Sequence, residues 1–166
     1  MPAPHSPPRP ASSPSLSQLI RVGQTHVGRG VFARRRIAAD TVIGEILGEH
    51  LDDHPEDSSY VMELPSHKLL DPAPPLRFMN HSCDPNCEIF YWEAESGEVQ
   101  EDRLWLQTIR PIEAGEEILI DYAWPADAAI PCRCGAPNCR GWICDPAELD
   151  QLRDRQATPA EDRAGP

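Results

Sequence analysis

Three cysteines fall within eight residues, in Cys132-Arg-Cys134-Gly-Ala-Pro-Asn-Cys139. The glycine and the proline between them force a turn, so the three thiols can converge on one ion. Zn²⁺ prefers four ligands in a tetrahedron, so this segment lacks one ligand and, once four are present, leaves no position for water. Arg133 and Arg140 are placed to offset the charge of the thiolates. The segment therefore predicts a structural metal site, and the candidates for its fourth ligand are Cys83, Cys87, Cys144 and a histidine.

A glycine-rich segment, Gly28-Arg-Gly-Val-Phe-Ala33, formally matches the G-x-G-x-x-G/A dinucleotide fingerprint. That fingerprint needs a helix whose N-terminus holds the pyrophosphate. Only residues 34–40 precede the next predicted strand, and they have no apolar helical face. The dinucleotide interpretation is therefore rejected. The two glycines still allow close backbone approach to a ligand, and a tight hairpin turn explains them equally well.

His81, Ser82 and Asp84 together suggest a Ser-His-Asp triad. Adjacent residues in an extended chain point in opposite directions, so Ser82 cannot easily use His81 as its base. The spacing gives no support to Cys83 or Cys87 as a nucleophile beside His81 either. Nucleophilic catalysis is accordingly not the favoured chemistry.

The charge balance restricts the partners of the chain. Its 166 residues carry 15 basic and 27 acidic side chains, a formal charge of −12. A sequence pI near 4.8 argues against nucleic acid as the main partner, because phosphate binding needs a basic face. An acidic surface would instead attract basic peptides or proteins. Two acidic runs could form a negative rim that steers such a substrate, although solvated loops explain most of these side chains: Glu49, Asp52, Asp53, Glu56, Asp57, and Glu93, Glu95, Glu98, Glu101, Asp102.

The cellular compartment is inferred from the cysteines and from the N-terminal residues. Residues 1–15 hold six prolines and one arginine, without the apolar core of a signal peptide. No apolar run approaches the ~18 residues that a membrane span needs. We therefore expect reduced thiols in a cytoplasmic protein, or a nuclear one in a eukaryote, where clustered cysteines more often bind metal.

Four motifs, taken together and in order, resemble one family. The segment from Arg77 to Cys87 (RFMNHSCDPNC) closely resembles the signature of SET-domain protein lysine methyltransferases. The segment from Glu113 to Tyr122 (EAGEEILIDY) resembles the second signature of that family, and Gly28–Ala33 resembles its first. The segment from Cys132 to Ile143 (CRCGAPNCRGWI) is similar to the post-SET zinc segment. Four motifs are far more specific than any one of them.

The resemblance implies a mainly β fold of small curved sheets, with few short helices and a C-terminal pseudoknot. It implies S-adenosyl-L-methionine as methyl donor, a lysine of a basic protein or peptide as acceptor, and one structural Zn²⁺. Tyr122 resembles the catalytic tyrosine, and Cys83 the cysteine that completes the zinc site of Cys132, Cys134 and Cys139. The residues that resemble the donor-binding set are Gly28, Arg29, Gly30, Tyr60, Arg77, Phe78, Asn80, His81 and Trp142.

Two positions depart from the family pattern. Ile46 replaces a channel-lining tyrosine, which could weaken catalysis or change the substrate. Ile120 replaces an aromatic residue, and it cannot hold a water that would crowd the amine. We therefore expect that addition beyond one methyl group is not blocked at Ile120. Ile46 keeps open an alternative, a zinc-containing module of the same fold that binds a partner without transfer. The short insert between Gly48 and Arg77 allows a groove completed by a second subunit in a homodimer.

These motifs must be positioned by short strands, because 19 prolines and 10 glycines argue against long helices. We predict a hairpin around Gly23, helical turns at 38–40, 75–80 and 146–152, and five further strands. The predicted strand ranges are 19–22, 27–33, 41–48, 60–64, 89–92, 104–109 and 118–122, of which the first two form the hairpin. The predicted organisation is a disordered tail over 1–15, a SET domain over 16–125, a post-SET zinc segment over 130–146 and a polar tail over 147–166.

Overall fold

The structure, a computed structural model, describes residues 15–53, 55, 60–93 and 101–152. These residues form two compact units. Unit 1 contains residues 15–80 and 85–120, and unit 2 contains residues 81–84 and 121–152. Among the described residues, small sheets of two or three strands dominate, with only short helices between them. The predicted mainly β fold class is therefore confirmed.

Unit 1 begins with a short helix, α1 (Leu16–Leu19), followed by the hairpin of β1 (Ile20–Thr25) and β2 (Gly28–Ala33). The hairpin is confirmed, but its predicted turn at Gly23 is wrong. Gly23 lies within β1, opposite Gly30. A Cβ atom at Gly23 would lie 2.8 Å from the Phe32 ring, so this glycine makes room for packing. The turn instead precedes Gly28, whose φ of +121° is a conformation that glycine readily adopts.

Two three-stranded sheets form the rest of unit 1. One has the order β3 (Val42–Glu45), β9 (Trp105–Thr108), β8 (Cys87–Phe90), and the other β4 (Gly48–Leu51), β6 (Leu69–Pro72), β5 (Met62–Glu63). The strand predicted over 41–48 is confirmed over Val42–Glu45 but ends there, because the chain changes partner at Ile46. Its N–H donates to Leu104 O, and the next carbonyl, that of Leu47, accepts from Ala73 N. The following strand, β4, then pairs with β6, a strand that the sequence did not predict.

The core of unit 1 is mainly aliphatic, but two of its fully buried side chains, Asn86 and Thr108, are polar. Val31, Leu106, Ile112 and Ile118 are fully buried. Asn86 is also fully buried, and every polar group of its side chain is used. Its Nδ2 donates to Glu117 O at 2.7 Å and to Glu116 Oε1 at 3.2 Å, while its Oδ1 accepts from Leu119 N at 2.8 Å. Asn86 thereby holds the 116–119 segment against the start of β8.

The remaining helices are single turns. A 3₁₀ helix over Leu76–Phe78 confirms a helical turn within 75–80, and another over Pro146–Glu148 leads into helical residues 149–152. Asp145 caps the second by accepting from Ala147 N at 2.8 Å. The helical turn predicted at 38–40 is wrong: residues 39 and 40 form a non-helical turn, with Asp40 at a φ of 56°. Within the described ranges, no helix is long and apolar enough to cross a membrane.

The last strands are short. β7 (Asn80–His81) pairs with β10 (Leu119–Ile120). In unit 2, β11 (Ile130–Pro131) pairs with β12 (Trp142–Ile143). The apolar core of this unit is a cluster of Ala126, Cys144 and Leu152, against which Trp142 packs. The predicted domain limits and the pseudoknot stay predictions.

Candidate functional site

Five of the residues that resemble donor-binding positions contact one another in unit 1. The Arg77 guanidinium lies 4.3 Å from the centre of the Tyr60 ring, and that of Arg29 lies 4.8 Å from the centre of the Phe78 ring. Asn80 Nδ2 donates to the carbonyl oxygen of Arg29 at 3.0 Å. These contacts join β2, the 3₁₀ helix and the start of β7 into one set, which we call the arginine–aromatic cluster.

Ion pairing fixes the arginine–aromatic cluster from one side. Arg77 pairs with Asp71 and donates to Pro72 O at 3.3 Å, which ties the 3₁₀ helix to β6. Arg77 and Phe78 also line an open depression of about 670 Å³, together with Leu47, Gly48 and Pro74 among others. The cluster thus presents aromatic and cationic groups next to an accessible concave surface.

The two glycines of the first motif have different physical roles. A Cβ atom at Gly30 would lie 2.5 Å from Glu117 Oε1, the oxygen that accepts from Asn80 Nδ2 at 2.8 Å. Gly30 therefore leaves room for the Asn80–Glu117 contact. At Gly28, by contrast, nothing lies within 4 Å of the Cβ position. The backbone there is open, and the turn is confirmed, whereas the close approach of a ligand stays a prediction.

A cluster of metal-binding groups occupies unit 2. One ligand atom each of His81, Cys83, Cys132 and Cys134 lies within 4.8 Å of all the others. The Sγ atoms of Cys83 and Cys132 are 3.8 Å apart. A tetrahedral zinc site with ~2.3 Å metal–sulfur bonds has sulfur–sulfur edges of ~3.8 Å, so this spacing fits Zn²⁺. The predicted ligands Cys83, Cys132 and Cys134 are brought together, with His81 in addition.

The environment acts differently on the three clustered thiols, and it favours the thiolate only at Cys134. Burial is the strongest influence on each, and it raises the pKa of Cys83 and of Cys132. Burial acts the same way on Cys134, but hydrogen bonds from the N–H groups of Cys83 and Ala136 and from the neighbouring thiols outweigh it. The pKa of Cys134 falls to about 6 as a result. The backbone N–H of Arg140 also points at Cys83 Sγ, at 3.4 Å.

The other cysteines take three different positions. The Cys139 side chain is hydrogen-bonded to those of Cys132 and Cys134, although it is outside the four-group set above. Cys144 is fully buried in the apolar cluster of unit 2. Cys87 is 1% exposed in β8 of unit 1, where burial raises the pKa of its thiol to about 12. Neither Cys87 nor Cys144 belongs to the metal-binding group of the described residues.

Tyr122 lies among aromatic and ionic neighbours in unit 2. Its ring centre is 5.4 Å from that of His81 and 5.5 Å from that of Trp124. Its backbone N donates to His81 Nδ1 at 3.2 Å. The preceding residue, Asp121, accepts from Arg140 Nη2 at 2.8 Å. Arg140 also donates to Cys144 O at 3.1 Å, so the Tyr122 segment is tied to the cysteine-rich tail.

The rest of the predicted positions are placed as follows. Trp142 is half-buried in β12. Ile46 and Ile120 are 2% and 3% exposed, as core residues of unit 1. Ser82 Oγ accepts from Asp84 N at 3.0 Å, a turn within its own segment rather than a triad. Of the acidic runs, Glu49, Asp52 and Asp53 are exposed, whereas residues 56, 57, 95 and 98 lie outside the described residues.

Three contact residues were not singled out from the sequence: Glu117, Asp121 and Arg140. Glu117 and Asp121 fall within the EAGEEILIDY motif, directly before or near Tyr122. Arg140 was assigned only to charge compensation. The signal that could have found them is the presence of charged residues at positions next to chemistry-bearing ones, since such charges need partners when they are partly buried.

Comparison with known proteins identifies the family. The model of the SET domain matches residues 28–123, more than half of the chain. The chain is 31% identical over 157 residues to Histone-lysine N-methyltransferase mes-4 of Caenorhabditis elegans, which covers 80% of this chain and 18% of that protein. It is 33% identical over 130 residues to Histone-lysine N-methyltransferase SETD1B of Homo sapiens, which covers 69% of this chain and 6% of that protein. The chain belongs to the SET-domain family.

A solved structure supports the same fold. A Plasmodium falciparum protein, described as a histone methyltransferase, superposes with a TM-score of 0.51 at 24% identity, covering 66% of this chain and 96% of that one. The two curated relatives are much longer, and this chain spans only 18% and 6% of their lengths. The likeness thus concerns one domain of those relatives.

Proposed function

We propose that the protein is an S-adenosyl-L-methionine-dependent protein-lysine N-methyltransferase that acts on a basic protein tail. The observation that carries this proposal is the arginine–aromatic cluster. Residues that sequence resemblance alone assigned to donor binding make two groups of contacts, Arg77 with Tyr60 and Arg29 with Phe78 and Asn80, which are joined through the neighbouring residues 77 and 78. Residues drawn from distant parts of the sequence would have no reason to meet in this way if the resemblance were accidental.

The residues fit the chemical needs of such a donor. S-adenosyl-L-methionine, when bound, supplies a methyl group on a positively charged sulfur. Gly28 offers open backbone at a positive φ, and Phe78 and Tyr60 offer aromatic faces for the adenosine part. We assign donor binding to these residues with Arg29, Gly30, Arg77, Asn80, His81 and Trp142. Their task is positioning, which can contribute roughly 7–11 kcal/mol to a reaction between two partners.

Tyr122 is proposed as the catalytic residue. Transfer forms a bond between the lysine nitrogen and the methyl carbon, breaks the bond between that carbon and sulfur, and releases a proton from the amine to solvent. Lysine must therefore react as the neutral amine, although its usual pKa is near 10.4. The Tyr122 hydroxyl would orient that nitrogen toward the methyl carbon. A low-dielectric surrounding disfavours the ammonium form and lowers its pKa.

We further propose one structural Zn²⁺ held by Cys83, Cys132, Cys134 and Cys139. The 3.8 Å edge between the Cys83 and Cys132 sulfurs and the proximity of the other two thiols support this set. Zinc with four protein ligands has no site for water or substrate, so its contribution is to the fold of the tail. It takes no part in the transfer step.

The substrate class follows from charge and from the relatives. A chain with a formal charge of −12 attracts a basic partner, and the curated relatives are named histone-lysine methyltransferases. We propose a histone or another basic protein as substrate, without direct binding to nucleic acid or membrane. The corresponding location is the nucleus in a eukaryote and the cytoplasm otherwise.

The test is transfer of a labelled methyl group from S-adenosyl-L-methionine to a mixture of basic proteins. We expect incorporation by the native chain and a loss of roughly 10²–10³-fold in Tyr122→Phe, the usual cost of removing one aligned hydrogen-bonding group from an active site. Tyr91→Phe is the matched control, because Tyr91 loses the same hydroxyl at an exposed position. Unchanged transfer by Tyr122→Phe would remove Tyr122 from the mechanism. Binding of basic proteins without any transfer would support the alternative of a non-catalytic module.

The number of methyl groups added to each lysine is a separate prediction. Ile120 has no hydroxyl to hold a water beside the amine, so we expect dimethyl or trimethyl lysine to accumulate after monomethyl lysine. Mass spectrometry of the modified protein over time, with enzyme in excess, measures this. A product that stays monomethylated under these conditions would contradict the role given to Ile120.

A further inference from the structure

The ring of His81 contacts both the thiol cluster and the backbone of Tyr122. Its Nε2 atom lies 3.4 Å from Cys83 Sγ, and its Nδ1 atom lies 3.2 Å from the backbone N of Tyr122. The residue is 9% exposed, so these groups rather than bulk water are the partners of the two nitrogens. The two contacts together determine which nitrogen carries the proton.

The contact with Tyr122 makes Nδ1 an acceptor. A backbone N–H can only donate, so the nitrogen that faces it must present a lone pair. Asp121 Oδ1 lies 3.4 Å from the same nitrogen and could in principle attract a proton there. That oxygen, however, already accepts from Arg140 Nη2 at 2.8 Å and from Ala123 N at 3.1 Å. The carboxylate is thus satisfied without a proton on Nδ1.

The proton of a neutral imidazole then lies on Nε2, directed at Cys83 Sγ, because the hydrogen bond at one nitrogen fixes the state of the other. A protonated ring nitrogen has no lone pair for a metal. We infer that His81 is an outer-shell residue of the zinc site: Nε2–H donates to the Cys83 thiolate while Nδ1 accepts from Tyr122. Proximity alone would make His81 the fourth ligand, whereas the tautomer leaves that place to Cys139.

This arrangement gives His81 a positioning role. Outer-shell partners orient the ligands of metal sites and tune the metal. Here a single ring connects a metal-bound thiolate to the backbone of the residue that we propose as catalytic. The inference rests on the proposed zinc centre and on the proposed role of Tyr122, and it is distinct from any contact of the 77–81 segment with the methyl donor.

The native protein can test the tautomer directly. We propose to label its histidines with ¹⁵N, replace zinc with ¹¹³Cd, and record long-range ¹H–¹⁵N and ¹¹³Cd spectra. We expect the His81 Nε2 to be protonated, Nδ1 to be unprotonated, and ¹¹³Cd to show an all-sulfur shift without coupling to the imidazole. A proton on Nδ1 with cadmium coupled to Nε2 would overturn the inference and leave the zinc centre standing. A protein that binds neither metal would overturn both.

Two variants separate the two hydrogen bonds. His81→Asn can place a carbonyl oxygen near the position of Nδ1, and His81→Gln can place an N–H near the position of Nε2. We expect His81→Gln to keep the native ¹¹³Cd shift but to exchange the Tyr122 amide hydrogen roughly tenfold faster, the factor for one hydrogen bond. His81→Asn should keep the native exchange rate of the Tyr122 amide hydrogen but change the ¹¹³Cd shift. If both variants retain both signals, the ring does not connect Cys83 to Tyr122 and the inference is wrong.

Discussion

The two units of this chain differ in the interactions that their buried residues can make. Unit 1 buries large aliphatic side chains such as Val31, Leu106 and Ile118, together with the hydrogen-bonded polar side chains of Asn86 and Thr108. Unit 2 has an apolar core of three small or medium side chains, Ala126, Cys144 and Leu152. Its other buried residues among those described are His81, Ser82 and Cys83. Apolar burial therefore stabilises unit 1, whereas we expect unit 2 to depend on the proposed zinc site and on polar contacts.

Metal removal should give the largest effect. It tests directly whether unit 2, unlike unit 1, needs a metal for its stability. Zinc bound to a small cysteine site contributes on the order of 10 kcal/mol to its fold. We expect Cys132→Ser, or a strong chelator, to remove zinc and abolish protection of residues 121–144 in hydrogen-exchange mass spectrometry. The strands of unit 1 should stay protected. Cys87→Ala is the control for metal content, since Cys87 is buried away from the cluster. Retained protection in 121–144 without metal would refute the dependence of unit 2 on zinc.

Removal of the Asn86 hydrogen bonds in unit 1 should have the next largest effect on stability. Asn86→Ala removes the side-chain partner of two partly buried backbone groups, Leu119 N and Glu117 O. Each unsatisfied group costs about 1–3 kcal/mol, so we expect a loss of roughly 3–5 kcal/mol in the free energy of unfolding. Urea denaturation measures it. Gln24→Ala removes the same kind of amide from an exposed strand position and should change stability little. Equal stability of the two variants would show that apolar packing alone holds unit 1.

A smaller, pH-dependent effect is expected at Glu116. Burial works to raise its pKa, but hydrogen bonds from Glu113 N, Arg110 and Asn86 outweigh it, so its pKa lies below the ordinary value of 4.5. A carboxyl with a lowered folded-state pKa adds stability above its unfolded pKa, and this is lost as the pH falls through the folded one. Glu116→Gln should therefore cost about 1 kcal/mol at pH 7, allowing for partial exposure.

The difference between native protein and Glu116→Gln should shrink below pH 4. Urea denaturation at pH 7 and pH 3 measures it, with Glu88→Gln as the control. Glu88 contacts Gln107 rather than an arginine. A constant difference across this range would mean that the charge of Glu116 contributes nothing.

Local patterns predicted much of the fold. The segments 19–22 and 27–33 were predicted as the first hairpin, with the turn misplaced at Gly23, and short apolar segments indicated β3, β8 and β9. The change of partner at Ile46 could not be predicted, because it depends on which strand is adjacent and not on the residues of 41–48. The strand β6 was missed for the same reason: Leu69–Pro72 is short, and it forms a strand only because β4 and β5 flank it.

The candidate site, like the fold, could be predicted only in part. Motif resemblance selected residues that do come together, such as Arg29 with Phe78 and Cys83 with Cys132. It did not predict the link from Asp121 to Arg140 or the second contact of His81. Both are long-range hydrogen bonds of polar side chains, for which the linear sequence carries no periodic signal. A histidine was one of the candidates for the fourth zinc ligand. Only the contacts of His81 with Cys83 and Tyr122 show whether it binds the metal or donates a hydrogen bond to a ligand of the metal.

Cys87 offers an internal reporter of the intact state. Its thiol is 1% exposed, and burial raises its pKa to about 12. Because alkylating reagents attack the thiolate, Cys87 should stay unmodified for as long as the sheet of β3, β9 and β8 is closed. The number of thiols labelled on each molecule, read from its mass, would therefore separate chains that have lost only their metal from chains that have opened completely.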